Sequence, residues 1–331
     1  MGKKIQTQVG EKEQKNSQNV SKLRPECMED YIGQKQAKET IRIAANSAKT
    51  RGVPLGHILL YGPPGLGKTT LAYLCAKEMD APIVCTVGPN LEKPCDIVSI
   101  LNGLQKDSVL FIDEIHRMNR QTEECLYSAM EDGFISITVG QAEQAKTIRL
   151  TLPPFTLIGA TTRAGMVSAP LRDRFLIQCK MEYYSTEELS EIAALSCKRL
   201  DISMTEKQRM RVAEISRGTP RIVNRYLTLI RDYAFSENDG NVNDTVVDEA
   251  LKLAGVNPNG LTDMDMKLLE VLSDNGKPVG LSTLAHVLGE DAQTVEEVYE
   301  PYLIMKQYIV KTARGREITA LGNMVRLGLG A

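Results

Sequence analysis

Residues 61–70 read YGPPGLGKTT, directly after the apolar run HILLY (57–61) and directly before TTLAYLCAKEM, a helical pattern. This fits the phosphate-loop spacing G-x-x-x-x-G-K-[ST] from Gly62 to Thr69, in the required strand–loop–helix setting. The glycines, Gly62, Gly65 and Gly67, let backbone N–H groups turn inward around phosphates, and the following helix N-terminus adds a favourable dipole. Lys68 is then expected on the β- and γ-phosphates, Thr69 on Mg²⁺ and Thr70 on the phosphate chain. A chain with this loop is constrained to an α/β domain with a parallel sheet. Four further runs satisfy that requirement: IVCTV (83–87), VLFID (109–113), TLIGAT (156–161) and FLIQC (175–179).

VLFIDEIH delivers Asp113 to the C-terminal edge of such a sheet, where ligands of open α/β sheets bind. Asp113 is expected to help hold Mg²⁺, and Glu114 beside it to polarise a water for attack on the γ-phosphate. A water-activating glutamate favours hydrolysis over phosphoryl transfer to another substrate. TLIGATTRAG ends in Thr161 and Thr162, and Thr162 is the better placed to touch the γ-phosphate or the attacking water.

The rest of the chain adds two segments. From Ser185 to about Gly255 the pattern is helical, opening on a capping box with Ser185 and Glu188. VNPNG (256–260) has turn chemistry, and GLSTLAHVLGEDAQTVEEVYEPYLIMKQ then reads as helix–turn–helix with Gly289 at the turn. YIVKTARGREIT (308–319) reads as a β-hairpin, so the last segment is expected to be a winged helix. The domains expected are a disordered tail over 1–20, a large ATPase domain over 21–184, a small helical lid over 185–255 and a winged-helix head over 256–331.

Net charge is −2, so any nucleic-acid contact must come from a local patch. Residues 262–331 carry seven Lys and Arg against ten Asp and Glu. Glu296, Glu297 and Glu300 make the second helix a poor reader of bases, so DNA contact is expected on the wing, through Lys311, Arg314 and Arg316. The seven cysteines form no C-x-x-C pair and read as small buried hydrophobes in a reducing compartment. No apolar run nears the ~20 residues of a membrane span, and a cytoplasmic location is expected.

GPPGLGKTTLA, LFIDEIHR, TLPPFTLIGATTRAG, PLRDRF, RGTPRI, PVGL and EPYLI together resemble the RuvB family of AAA+ ATPases, which drive branch migration of Holliday junctions. The resemblance runs from about Leu23 to Gly322. It implies a hexameric ring that hydrolyses ATP with Mg²⁺ and pumps duplex DNA. RuvA is implied as partner through a hairpin over 134–152, and RuvC is admitted as a further one. Leu23, Arg24, Tyr184 and the segment Glu131, Asp132 and Gly133 are nucleotide contacts by resemblance; Gly133 stands where a bulkier residue is common. Arg221 matches the arginine that reaches the phosphates from the lid. Arg174 matches the arginine finger that completes the next subunit's site, while Arg172, two residues away and pointing oppositely on an extended chain, has no equally clear role. Ala292 stands where relatives often carry an arginine. A clamp-loader-like or initiator-like AAA+ switch, and a nucleotide-gated DNA-binding regulator without turnover, remain as alternatives.

Overall fold

The computed structural model describes residues 23–139 and 146–329. The expected disordered tail and the tip of the 134–152 hairpin lie outside them. The chain separates into two compact units, one holding the residues up to Glu188 with Thr219–Arg221, the other Leu189–Gly218 with Ile222 onward.

The first unit is built on five parallel strands: β1 (Ile58–Tyr61), β2 (Ile83–Val87), β3 (Ser108–Asp113), β6 (Phe155–Thr161) and β7 (Ile177–Lys180). Their order across the sheet is β2–β3–β6–β1–β7. Between β3 and β6, β4 (Phe134–Val139) and β5 (Lys146–Thr151) stand apart as an antiparallel hairpin. Every residue of β6 is buried, as is all of β3 up to Ile112, because helices cover both faces of a parallel sheet. Leu59, Leu110, Ile112 and Leu157 from the strands meet Leu101 and Leu126 from the covering helices in one core. β2 is an edge strand and is half-exposed, which leaves Cys85 in solvent. Cys95 is exposed too, so only Cys75, Cys179 and Cys197 are the buried hydrophobes the sequence suggests.

The strands end together at one edge. Tyr61 pairs with Thr161, and Asp113 with Val87, so the residues after β1, β3 and β6 converge there. PLRDRF is not extended. Ala169–Asp173 is a short helix capped by Ser168, with Arg174 just after it. Arg172 lies within the helix, forms no ion pair with a described residue, and its carbonyl accepts from Gln178.

The second unit packs Leu268, Leu272, Leu284, Leu288, Val295 and Leu303 into its own core. Its helix–turn–helix pairs Leu281–Leu288 with the irregular stretch Ala292–Thr294, Val295–Tyr299 and Glu300–Met305, joined at Gly289, whose φ of 74° is the left-handed region glycine tolerates. Val287 and Val298, apolar residues of this motif, are 48% and 56% exposed. The wing is β8 (Ile309–Thr312) against β9 (Gly315–Ile318). Arg217 is held by Asp265, which is fully buried, and lies over the ring of Tyr302.

Candidate active site

The phosphate loop is shaped by close backbone approach. Gly62, at φ 144°, lies so near Met181 that a Cβ would come within 2.5 Å of its carbonyl oxygen. A Cβ on Gly67 would meet the hydroxyl of Tyr31 at 2.8 Å. Tyr31 and Tyr184 both donate to the carbonyl of Leu66, at 3.4 and 3.2 Å, and so brace the loop from beneath. Leu23, on the same segment as Tyr31, is buried, and Arg24 stacks on the ring of Tyr73. Tyr31 carried no signal in the sequence, since a tyrosine in a loop before a helix is unremarkable.

Lys68 begins the helix Lys68–Glu78, arches back over the loop and donates to the carbonyls of Gly62 and Pro63, each at 2.8 Å. Burial pushes its pKa down, Arg221 pushes the same way, and Glu114 and Asp113 oppose both. Arg221 reaches this loop through its own backbone, N–H to the Gly65 carbonyl at 3.4 Å. Thr70 stands on the first turn of the helix.

Thr69 donates to Asp113 at 3.3 Å. A hydroxyl and a carboxylate side by side at the mouth of a phosphate loop suit Mg²⁺, which takes one or two protein oxygens and completes its shell with phosphate and water. Glu114 follows in the left-handed region at φ 48°, an unusual conformation for a residue with a side chain. Its carbonyl packs on Gly88, where a Cβ would approach to 2.3 Å. Thr162 donates to the Glu114 carboxylate at 3.2 Å. Lys68, Thr69, Asp113, Glu114, Thr162 and Arg221 therefore gather at one edge of the sheet.

Arg174 is elsewhere. It donates to Glu131 at 2.8 Å and to the Pro170 carbonyl at 2.6 Å, and its guanidinium lies 4.5 Å from the centre of the Tyr127 ring. Glu131 and Gly133 line a cavity of about 350 Å³ with Leu55, His57 and Phe155, which lie at the start of β1 and β6. This is the opposite edge of the sheet, roughly 20 Å away at the ordinary rise per strand residue. Glu131, Asp132, Gly133 and Arg174, expected as nucleotide contacts, are thus separated from this chain's own phosphate loop.

In the wing, two of the three expected DNA contacts are committed to acids. Arg316 donates to Glu300 at 2.6 Å, and Lys311 lies 2.8 Å from Glu300 and 3.2 Å from Glu296. Glu300 is fully buried. The two cations are cross-strand partners, so one buried carboxylate serves both. Arg314, at the hairpin turn, is exposed and makes no ion pair with a described residue.

Three family descriptions tile the chain: the Holliday junction DNA helicase RuvB P-loop domain over 23–181, the RuvB AAA lid domain over 184–257 and the RuvB C-terminal winged helix domain over 258–325. A Holliday junction branch migration complex subunit RuvB from Fusobacterium nucleatum is 48% identical over 315 residues, covering 94% of this chain and 95% of that protein. Its counterpart from Clostridium kluyveri is 49% identical over 296 residues, covering 89% and 85%. Among solved structures, the Thermotoga maritima RuvB Holliday junction branch migration motor superposes with a TM-score of 0.82 at 40% identity, covering 93% of this chain and 98% of that one. A mutant of the Thermotoga maritima protein gives 0.83 at 40% identity, over 92% and 98%. With the phosphate loop, the Asp113–Glu114 strand end, the lid and the wing matched in one continuous chain, the protein belongs to the RuvB family of AAA+ ATPases.

Proposed function

We propose that this chain is the ATP-driven ring motor that migrates Holliday junctions with RuvA, in DNA recombination and repair. The observation that carries it is the convergence of Lys68, Thr69, Asp113, Glu114 and Thr162 at one sheet edge of a chain matched over 94% of its length by a RuvB protein. ATP enters the loop with its γ-phosphate toward Lys68, which exchanges the carbonyls of Gly62 and Pro63 for phosphate oxygens. Thr69 and Asp113 would hold Mg²⁺, which would supply positive charge against the phosphates. Glu114 takes a proton from water as the water oxygen attacks the γ-phosphorus and ADP departs. Thr162 leaves the Glu114 carboxylate for the γ-phosphate. Leu23, Arg24 and Tyr184 border the base, and Arg221 senses the phosphates.

The separation of Arg174, Glu131, Asp132 and Gly133 from this chain's phosphate loop supports their use on a neighbour's ATP, and hence a ring, taken as a hexamer from the family resemblance. The hairpin over 134–152 is the RuvA contact in this reading, RuvC remains an admitted partner, and duplex DNA meets the wing chiefly at Arg314. Domain limits of 21–184, 185–255 and 256–331 and a cytoplasmic location belong to the same reading. ATPase measured with plain duplex, with a four-way junction and with RuvA added tests it. Stimulation by the junction plus RuvA, with junction unwinding, is expected. ATP turnover with no junction unwinding would favour a clamp-loader-like switch, and no turnover at all a nucleotide-gated regulator.

A further inference from the structure

His116 was no part of the site expected from the sequence, yet it lies inside it. It sits on the short turn Ile115–Arg117, and its side chain is only 6% exposed. Its Nδ1 is 3.2 Å from Oε2 of Glu114 and 2.9 Å from Oγ1 of Thr161. Thr161 is itself fully buried, and its hydroxyl oxygen accepts the backbone N–H of Arg163 at 2.9 Å. Oε2 of Glu114 is the same oxygen that accepts from Thr162.

The charged groups around the imidazole are Glu114, Arg163 and Arg117. Burial lowers the pKa of His116, and both arginines act in the same direction; only Glu114 opposes them. The ring is therefore neutral near neutral pH. An ionised carboxylate accepts only, so the tautomer compatible with Glu114 carries its proton on Nδ1, shared between the Thr161 hydroxyl oxygen at 2.9 Å and the Glu114 carboxylate at 3.2 Å. This tautomer follows from the partners. Oε2 of Glu114 thus accepts from Thr162 at the strand end and lies 3.2 Å from Nδ1 on its own turn.

Resting on the reading of Glu114 as the general base, we propose that His116 is a positioning residue for hydrolysis. Its Nδ1–H holds the Glu114 carboxylate in one orientation while Thr162 moves to the γ-phosphate. Glutamate has three rotatable side-chain torsions, and a carboxylate released from both donors would wander among rotamers. Misplacing a catalytic group by about 1 Å can cost on the order of a hundredfold in rate. Thr161, buried and fixed by the Arg163 N–H, in turn fixes the ring.

The test uses the full chain with His116→Ala, His116→Asn and His116→Gln, measuring kcat and KM for ATP and the affinity for a fluorescent ADP. Asparagine can place an amide N–H near the position of Nδ1, whereas glutamine places one near Nε2. The expected result is a loss of about 10- to 100-fold in kcat for His116→Ala. ADP affinity should stay within about twofold of wild type, most of the rate should return in His116→Asn, and little in His116→Gln. ADP binding shows that the site is folded; where His116→Ala does not fold, the Asn–Gln contrast decides. Wild-type kcat in His116→Ala, an Asn variant no faster than the Gln variant, or a loss of ADP affinity in step with kcat would overturn the inference. Glu114→Gln is run in parallel. If that variant hydrolyses ATP normally, the assignment of Glu114 is what fails; if it is slow while the His116 variants are not, His116 is.

Discussion

In the proposed mechanism, Lys68 and Glu114 separate binding from chemistry within one site. Lys68 is 7% exposed and is the cation that the loop folds around. Lys68→Ala should abolish nucleotide binding, read directly as the loss of a fluorescent-ADP signal. Glu114→Gln keeps the shape and the contact with Thr162 but cannot take a proton. It should bind ATP near normally and turn it over at least ~100-fold more slowly, the scale of one general base. Single-turnover assays check this, and normal turnover would remove Glu114 from the mechanism. Both residues were legible in the sequence, because a loop motif and an Asp–Glu pair at a strand end carry their spacing with them. His116, Tyr31 and Tyr127 were not. Each is held by or holds a partner distant in sequence: Thr161, Leu66 and Arg174. No local pattern announces such a pairing.

At the scale of elements, the five strands of the sheet stand within two residues of where apolar runs place them, since buried parallel strands leave continuous apolar stretches. The helix at Ala169–Asp173 was harder to see: five residues hold less than two turns, and its proline and Ser168 cap are shared with many loops. The wing shows the same limit in its charges. Lys311, Arg314 and Arg316 look alike in sequence, but only the fold reveals that Glu300 claims two of them. This predicts a split. Arg314→Ala should leave the melting temperature unchanged and lower the slope of log K for DNA against log salt by ~0.9, one phosphate contact. Arg316→Ala should instead lower stability by about 2–3 kcal/mol, because a buried carboxylate loses its bidentate partner. Denaturant melts and salt-dependent DNA binding, run on both variants, distinguish the two roles. Equal loss of salt slope in both would show that Arg316 reaches DNA despite Glu300.

Over the whole molecule, the phosphate loop and Arg174 occupy opposite edges of one sheet. Arg174→Ala subunits keep an intact loop, and Lys68→Ala subunits keep an intact Arg174. Each alone should be nearly inactive, since a finger is worth ~10³-fold or more. Mixed at fixed total protein, some contacts unite the two intact halves, and ATPase should rise to a maximum at intermediate ratios. A flat line at zero would place Arg174 in its own subunit's site. The same mixture made with Arg172→Ala shows which arginine of PLRDRF crosses. If Arg174 serves a neighbour's site, a subunit with a lock at one end and a key at the other joins head to tail, so its self-association is heterologous and closes only by rotation. Such a ring has a front and a back that are never equivalent. Two rings on one junction, facing opposite ways, would draw its arms in opposite senses. The direction of travel would then be decided by which face docks, with no change in the chemistry of any single site.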